Sequence, residues 1–415
     1  MARRHTQDAR PTIARHAPLP RRSALSSFLR FLGVGLAVVL VSAIAVGAFI
    51  VVDLLNRVGD EAVALEDAPE VDPPTIGAYP GDKAFSILVV GTDECSEATT
   101  ALLAERCTEA DGMSRNDVNL LVHVSAEPRN VTVISLPRDL GIAVPECTRQ
   151  DGSVASSMSK QSINAVYEHA GLSCVVKTVS ELGDIPIEFA AKISFDGVMA
   201  VTDAVGGVEV CIAGDGIRDR HTDIDWPAGP RTISGYEALQ FIRTRHGVGD
   251  ESDLARISNQ QQYMSRLAKK ILSGETLTDL PKVLALAGAV ADNIVPSESL
   301  KDPLRLAQIA LALKDVRFSD FVFVQYPNFV DPDDKDKVVP NEGAAEALWA
   351  AIKSGEPLQL TGDVSTRRGV ELVTPAPTKT PDPTSTEAPE VRVTLPPDIS
   401  GQTLEQETCA VGNQR

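Results

Sequence analysis

Several signatures of common chemistries are missing from this 415-residue chain. No two cysteines stand in a CxxC spacing and the six histidines are scattered, which speaks against a structural zinc site. No GxSxG, HExxH or GxxxxGK[ST] run occurs, so the serine-hydrolase elbow, the zinc-protease helix and the phosphate loop are all absent. Basic residues are scarce: 39 Lys and Arg stand against 57 Asp and Glu, a formal charge of -18, and no nucleic-acid partner is expected. No internal repeat is found. What is present is enough apolar sequence, 43% of the chain, for one large domain or two ordinary ones with a sizeable core, which excludes wholesale disorder.

The charge is unevenly spread. Residues 1–30 hold seven Arg and a single acid, Asp8, so the remainder carries 32 bases against 56 acids, or -24. Between the two parts, residues 31–52 are uncharged. At about 1.5 Å per helical residue, such a run matches the roughly 30 Å hydrocarbon layer. The expectation is a retained single-pass anchor with its Arg-rich N-terminus cytoplasmic and everything after Asp53 extracytoplasmic. All six cysteines (Cys95, Cys107, Cys147, Cys174, Cys211, Cys409) lie beyond this run, as disulfides in an oxidising compartment would. Cys95 with Cys107 and Cys147 with Cys174 would each close a short loop, leaving Cys211 with Cys409. Residues 53–83, acidic and Pro-bearing, read as a stalk. Residues 356–415, rich in Pro, Thr and Glu over 374–397, read as a largely disordered tail.

The body between them, 84–355, shows short apolar runs at 85–90, 118–124 and 131–136, then helical patterns at 161–170, 174–182, 196–205 and 254–272. Further helices at 280–291, 304–313 and 343–352 and a strand at 321–325 complete it. Strands interleaved with helices predict an α/β domain with helices on both faces of a central sheet.

The second and third strands, joined by six residues, should form a hairpin that returns Arg138 and Asp139 to the edge where Arg115 and Asp117 begin. In "RTRH", Arg243 and Arg245 would share one side of an extended segment. On the following helix Asp253, Arg256 and Gln260 fall on one stripe. Guanidiniums offer planar forks to phosphate oxygens, and Asp117 with Asp253 suits Mg²⁺, which takes one or two carboxylates beside substrate oxygens. Together these residues fit phosphoryl transfer. His123, within a strand, reads as a core residue. The acidic run at 331–337 has Lys335 at a ligand position and reads as a solvated loop rather than a calcium site.

Taken in order over residues 84–272, the motifs "ILVVGTD", "RND", "ISLPRD", "SINAVYEHAG", "DAVGGVEV", "ALQFIRTRH" and "GDESDLARISNQQQ" resemble those of the LytR-CpsA-Psr family of membrane-anchored cell-wall glycopolymer transferases. Cysteines in "PEC", "LSC" and "EVC" are similar to those of actinobacterial members. The resemblance implies an α-β-α layered domain with a central mixed sheet. It also implies an enzyme that moves a glycan phosphate from a polyprenyl-pyrophosphate-linked donor to a peptidoglycan acceptor, with associated pyrophosphatase activity. By motif, Asp117 and Asp253 would hold the metal, and Arg115, Arg138, Arg243, Arg245, Arg256 and Gln260 would grip the pyrophosphate, with Asp93 and Asp139 in support. Asn116 stands where the family has Ser, and Asp250 competes with Asp253 for the second metal position, the helical stripe favouring Asp253. A lipid tunnel is implied, with Val166, Val175, Val179, Phe189, Phe195, Val198 and Leu267 as candidate linings. The same residues would also serve a polyprenyl-pyrophosphate hydrolase or a non-catalytic polyprenyl-lipid-binding protein.

Overall fold

The computed structural model describes residues 62–103, 107, 114–277, 279–373 and 391–413, with a few helical positions between 35 and 42. The apolar run 31–52 thus lies almost wholly outside the described residues, as do 53–61 and 374–390. Among those described, no helix is long and apolar enough to cross a membrane.

The body is built on a mixed sheet whose centre is an antiparallel meander: β1 (Phe85–Thr92), β2 (Asn116–Val124) and β3 (Val131–Leu136). Val, Ile and Leu alternate through these strands, so each presents one apolar set to either face. Leu88, Val90 and Leu121 pack under α1 (Val166–Gly183). Phe85, Leu120 and Val124 pack in a separate cluster on the other side. β4 (Phe189–Ile193) joins β1 in parallel, the connection a crossover helix such as α1 permits. The helical patterns at 161–170 and 174–182 fuse into α1, which is broken at Ala170 and Gly171, the latter at a φ of 77° that suits glycine. Residues 158–162 form a short strand instead of the start of that helix.

After β4 come α2 (Phe195–Ala204), β5 (Val208–Ala213), β6 (Gly229–Ile233), α3 (Gly235–Arg243) and α4 (Asp253–Leu272). α4 begins where Ser252 Oγ accepts from Ala255 N–H at 3.2 Å, an N-cap that satisfies one otherwise orphaned donor. It buries residues along most of its length, sending Tyr263 and Leu267 toward the small second sheet and Ala268 and Leu272 toward the main one. Then follow α5 (Leu280–Asn293), β7 (Ile294–Pro296), α6 (Pro303–Leu313), β8 (Phe321–Gln325) and α7 (Glu342–Ser354).

Both ends of the body differ from expectation. Residues 62–83 do not stand off as a stalk: Val63 is buried and its N–H donates to the Pro296 carbonyl at 2.9 Å. The Tyr79 ring packs at a tilt against Phe85, 4.5 Å between centroids. Leu65 and Val71 also pack against the core, so this Pro-bearing stretch has apolar residues to bury. The presumed tail likewise re-enters the fold. β9 (Val370–Leu372), β10 (Gly401–Thr403) and β11 (Thr408–Val411) are all strands of it. The main sheet runs β7-β4-β1-β2-β3-β8-β10, and the second β6-β5-β11-β9. Leu395, Ile399 and Leu404 are buried, which supplies the apolar anchors that a Pro/Thr-rich composition conceals. All three expected disulfides form, and the Cys211–Cys409 bond ties β11 to β5.

Candidate active site

The meander brings Asp117 and Arg138 to one end of the sheet, where Arg138 Nη1 lies 3.1 Å from Asp117 Oδ1. The Arg138 Nε lies 3.5 Å from Asp139 Oδ2 and 3.3 Å from Asp253 Oδ1. One guanidinium therefore joins three carboxylates from two distant stretches of chain. Burial disfavours its charge, but Asp117, Asp253 and Asp139 together hold it above the usual arginine range. Asp253, at the first turn of α4 where the helix dipole favours a negative charge, also meets Arg256 Nη2 at 2.5 Å. Its Oδ2 is buried without a hydrogen-bond partner among the described residues.

A departure from regular pairing aims these groups. Gly91 pairs with Val118 but Thr92 pairs with Asn116, so Asp117 is an extra residue in β2. The bulge lets Asp117 and Val118, which would otherwise alternate, line the same cavity. A side chain at Gly91 would place its Cβ 2.9 Å from that of Val118, so glycine is needed for the close approach. The phase change also redirects Arg115. Its side chain is 56% exposed, with Nε 3.9 Å from Glu168 Oε2, away from the cavity wall. Its backbone N–H donates to Asp93 Oδ1 at 2.7 Å. Burial first, and then the nearby Asp117 charge, pushes the Asp93 carboxyl up; burial does the same for Asp139. Asn116 is fully buried and ties β2 to the start of α1, donating to Asn119 Oδ1 and the Ile163 carbonyl and accepting from Tyr167 N–H.

Arg243, Arg245, Arg256 and Gln260 line the same polar cavity as Asp117 and Arg138. The extended segment expected for "RTRH" does not occur: Arg243 closes α3, Thr244 ends it, and Arg245 starts the loop. Arg243 lies over the Phe195 ring at 5.0 Å. Gln260 Nε2 donates to the Ile242 carbonyl at 2.9 Å, so its amide also pins α4 to α3. Asp250 lies apart, 3.8 Å from Arg367.

Asp219 was not foreseen. Its Oδ2 accepts from Thr244 Oγ1 at 2.7 Å and from Arg245 N–H at 3.1 Å, while Oδ1 accepts from His221 N–H at 2.9 Å. Although burial opposes it, these bonds keep its carboxyl below the usual range and fix the Arg245 loop. Only the acid in "IRDRH" hinted at it.

Beside the polar cavity lies an apolar one, between the sheet face and α2, α3 and α4. Val89, Leu120, Val198, Val201, Met264, Leu267 and Phe323 are in its wall, and it shares Val118, Ile242 and Gln260 with the polar cavity. Of the expected tunnel residues, Val198 and Leu267 do line it, and Phe195 lines the polar cavity instead. Val166, Val175 and Val179 are core on the opposite face of the sheet, because α1 packs there, and Phe189 belongs to the Tyr79–Phe85 cluster.

Among the described residues, no group of three or more His, Cys, Asp or Glu side chains converges as a metal cage. Asp117 and Asp253 supply two carboxylates, the number Mg²⁺ takes when substrate oxygens complete its shell, and the partnerless Asp253 Oδ2 fits a cation.

The model of the LytR_cpsA_psr family matches residues 49–336. A cell wall biosynthesis protein, LcpA of Corynebacterium glutamicum, is 29% identical over 59% of this chain, and the match spans half of its own length. The polyisoprenyl-teichoic acid–peptidoglycan teichoic acid transferase TagT of Bacillus subtilis is 24% identical over 71% of this chain and 85% of its own. Among solved structures, protein gbs0355 of Streptococcus agalactiae superposes with a TM-score of 0.50 at 22% identity, covering 66% of this chain and 88% of that one, a likeness in fold.

Proposed function

The chain belongs to the LytR-CpsA-Psr family, and on that footing we propose that it is an extracytoplasmic phosphotransferase, anchored by residues 31–52, that joins a polyprenyl-pyrophosphate-linked glycopolymer to peptidoglycan through a phosphodiester. The observation that carries this reading is the adjacency of the two cavities across Val118, Ile242 and Gln260. A prenyl chain would lie in the apolar cavity, and its pyrophosphate would emerge among Arg138, Arg243, Arg245 and Arg256. One relative is named a cell wall biosynthesis protein and another a polyisoprenyl-teichoic acid–peptidoglycan teichoic acid transferase, and three disulfides suit an oxidising compartment.

Catalysis here is mainly positioning and charge neutralisation. Arg243, Arg245 and Arg256 would orient the pyrophosphate and stabilise charge on the leaving polyprenyl phosphate. Asp117 and Asp253 would hold Mg²⁺ or Mn²⁺, which supplies further neutralisation of the phosphate oxygens. Arg138 keeps these two acids and Asp139 close together despite their mutual repulsion. When water replaces the acceptor hydroxyl, the same arrangement gives pyrophosphatase activity.

The test uses purified full-length protein in lipid nanodiscs with a polyprenyl-pyrophosphate saccharide and a peptidoglycan fragment. Arg243→Ala and Arg245→Ala should each lower transfer at least about 100-fold, the order a transition-state charge contact contributes, with the thermal midpoint unchanged. Full activity in both variants would defeat the assignment.

A further inference from the structure

The transfer reaction needs a group to take the proton of the attacking hydroxyl, and the carboxylates at the centre of the site are poorly placed for it. Asp117 and Asp253 are paired with Arg138 and Arg256. Asp219 has both oxygens engaged. The attacking and leaving oxygens of a phosphoryl transfer lie roughly in line. With the lipid phosphate leaving toward the apolar cavity, attack must come from the part of the wall that the two cavities do not share. Beyond the Arg138 cluster, that part holds Asp93, whose Oδ1 accepts from the Arg115 N–H, together with Asp219, His221, Thr222 and His246.

We propose that His246 is the general base of the transferase, with Glu251 as the residue that orients its ring. The assignment rests on the transferase reading above. His246 follows Arg245 in the anchored loop, and its side chain is 45% exposed, so it faces the side from which a solvent-borne glycan arrives. Its Nδ1 lies 3.5 Å from Glu251 Oε2, while Oε1 of that carboxylate accepts from Asn413 Nδ2 at 2.7 Å. A carboxylate on Nδ1 favours the tautomer that leaves Nε2 as acceptor, the relation found in acid–histidine pairs of many hydrolytic sites. The ring of His221 lies beside that of His246, 4.4 Å away between centroids. The other charged groups on this wall are Asp93, Asp117, Asp219, Arg243, Arg245, Arg138 and Arg256.

The step balances as follows. The acceptor hydroxyl oxygen forms a bond to the sugar-linked phosphorus and its proton passes to His246 Nε2. The bond from that phosphorus to the bridging oxygen breaks, and polyprenyl monophosphate leaves with the electron pair. Glu251 itself sits at a left-handed φ of 69° in the turn before α4, a strained position for a non-glycine residue that aims its side chain back at the loop.

The experiment compares wild type and His246→Gln in single-turnover transfer from the polyprenyl-pyrophosphate saccharide to the peptidoglycan fragment, from pH 5 to 9, with donor binding measured separately. A general base contributes roughly 10²- to 10⁴-fold. The variant should lose at least about 100-fold in rate, keep donor affinity within about threefold, and lose the fall in rate on the acid side. A variant that transfers at wild-type rate with an unaltered pH profile overturns the assignment, as does one whose entire loss is in donor affinity. Absence of transfer by wild-type protein overturns the transferase reading and this assignment with it, whereas wild-type transfer matched by the variant overturns this assignment alone.

Discussion

The Arg138 guanidinium stands 3.1 Å from Asp117 on one side and 3.3 Å from Asp253 on the other, and so holds together two acids from opposite halves of the site. Removing it should cost more than a contact. In Arg138→Ala, Asp117 and Asp139 lose their cation and Asp253 keeps only Arg256, and breaking a buried ion pair costs about 3–5 kcal/mol. Partial exposure of this group reduces the expected loss to about 2–3 kcal/mol. Urea unfolding measures it, and transfer activity should vanish at the same time. A variant as stable as wild type would show that Arg138 does not organise the acids.

Gly91→Ala tests the bulge. The new Cβ meets Val118 at 2.9 Å between two sheet strands, and overpacking of this kind costs about 1–3 kcal/mol. Because the same contact sets the direction of Asp117, the transfer rate should fall at least about tenfold, a shift of roughly 1.4 kcal/mol in barrier. Gly343→Ala, where the added methyl meets open space in a helix, should leave both stability and rate at or above wild type.

How much of this was legible beforehand differs from residue to residue. The stripe Asp253–Arg256–Gln260 was legible because helix period is a local property, and the hairpin because two apolar runs flank a short connection. Arg115 was not, since a one-residue bulge reverses alternation and leaves no mark in composition. The strands at 370–372, 401–403 and 408–411 were hidden by the Pro/Thr-rich stretch beside them, and their pairing depends on partners up to hundreds of positions away. Apolar residues such as Val175 and Val198 look alike in sequence; which face of the sheet covers them is decided by the path of α1 and α2. Asp219 acts through a loop whose position only the tertiary fold sets.

Acid sensitivity should trace to His123. Buried in β2 with its Nδ1 3.1 Å from Ser86 Oγ, it is pushed down by burial to about 4 from 6.5. The unfolded chain therefore takes up a proton near pH 6.5 that the folded one refuses until about 4. Stability from this group is complete above pH 6.5 and is lost as pH falls toward 4, by about 3 kcal/mol in all. Urea midpoints of wild type and His123→Gln between pH 7 and 4 should converge as the solution is acidified. Parallel curves would contradict the assignment.

Phosphorus bookkeeping decides the central claim. A donor labelled with ³²P on the sugar-side phosphate is incubated with full-length protein, Mg²⁺ and peptidoglycan, and the label is followed. The account predicts that it enters peptidoglycan as an alkaline-phosphatase-resistant phosphodiester, in step with release of unlabelled polyprenyl monophosphate. Label found only as free saccharide phosphate would make the protein a hydrolase, and label left entirely in intact donor would reduce the Arg and Asp cluster to a lipid-binding site.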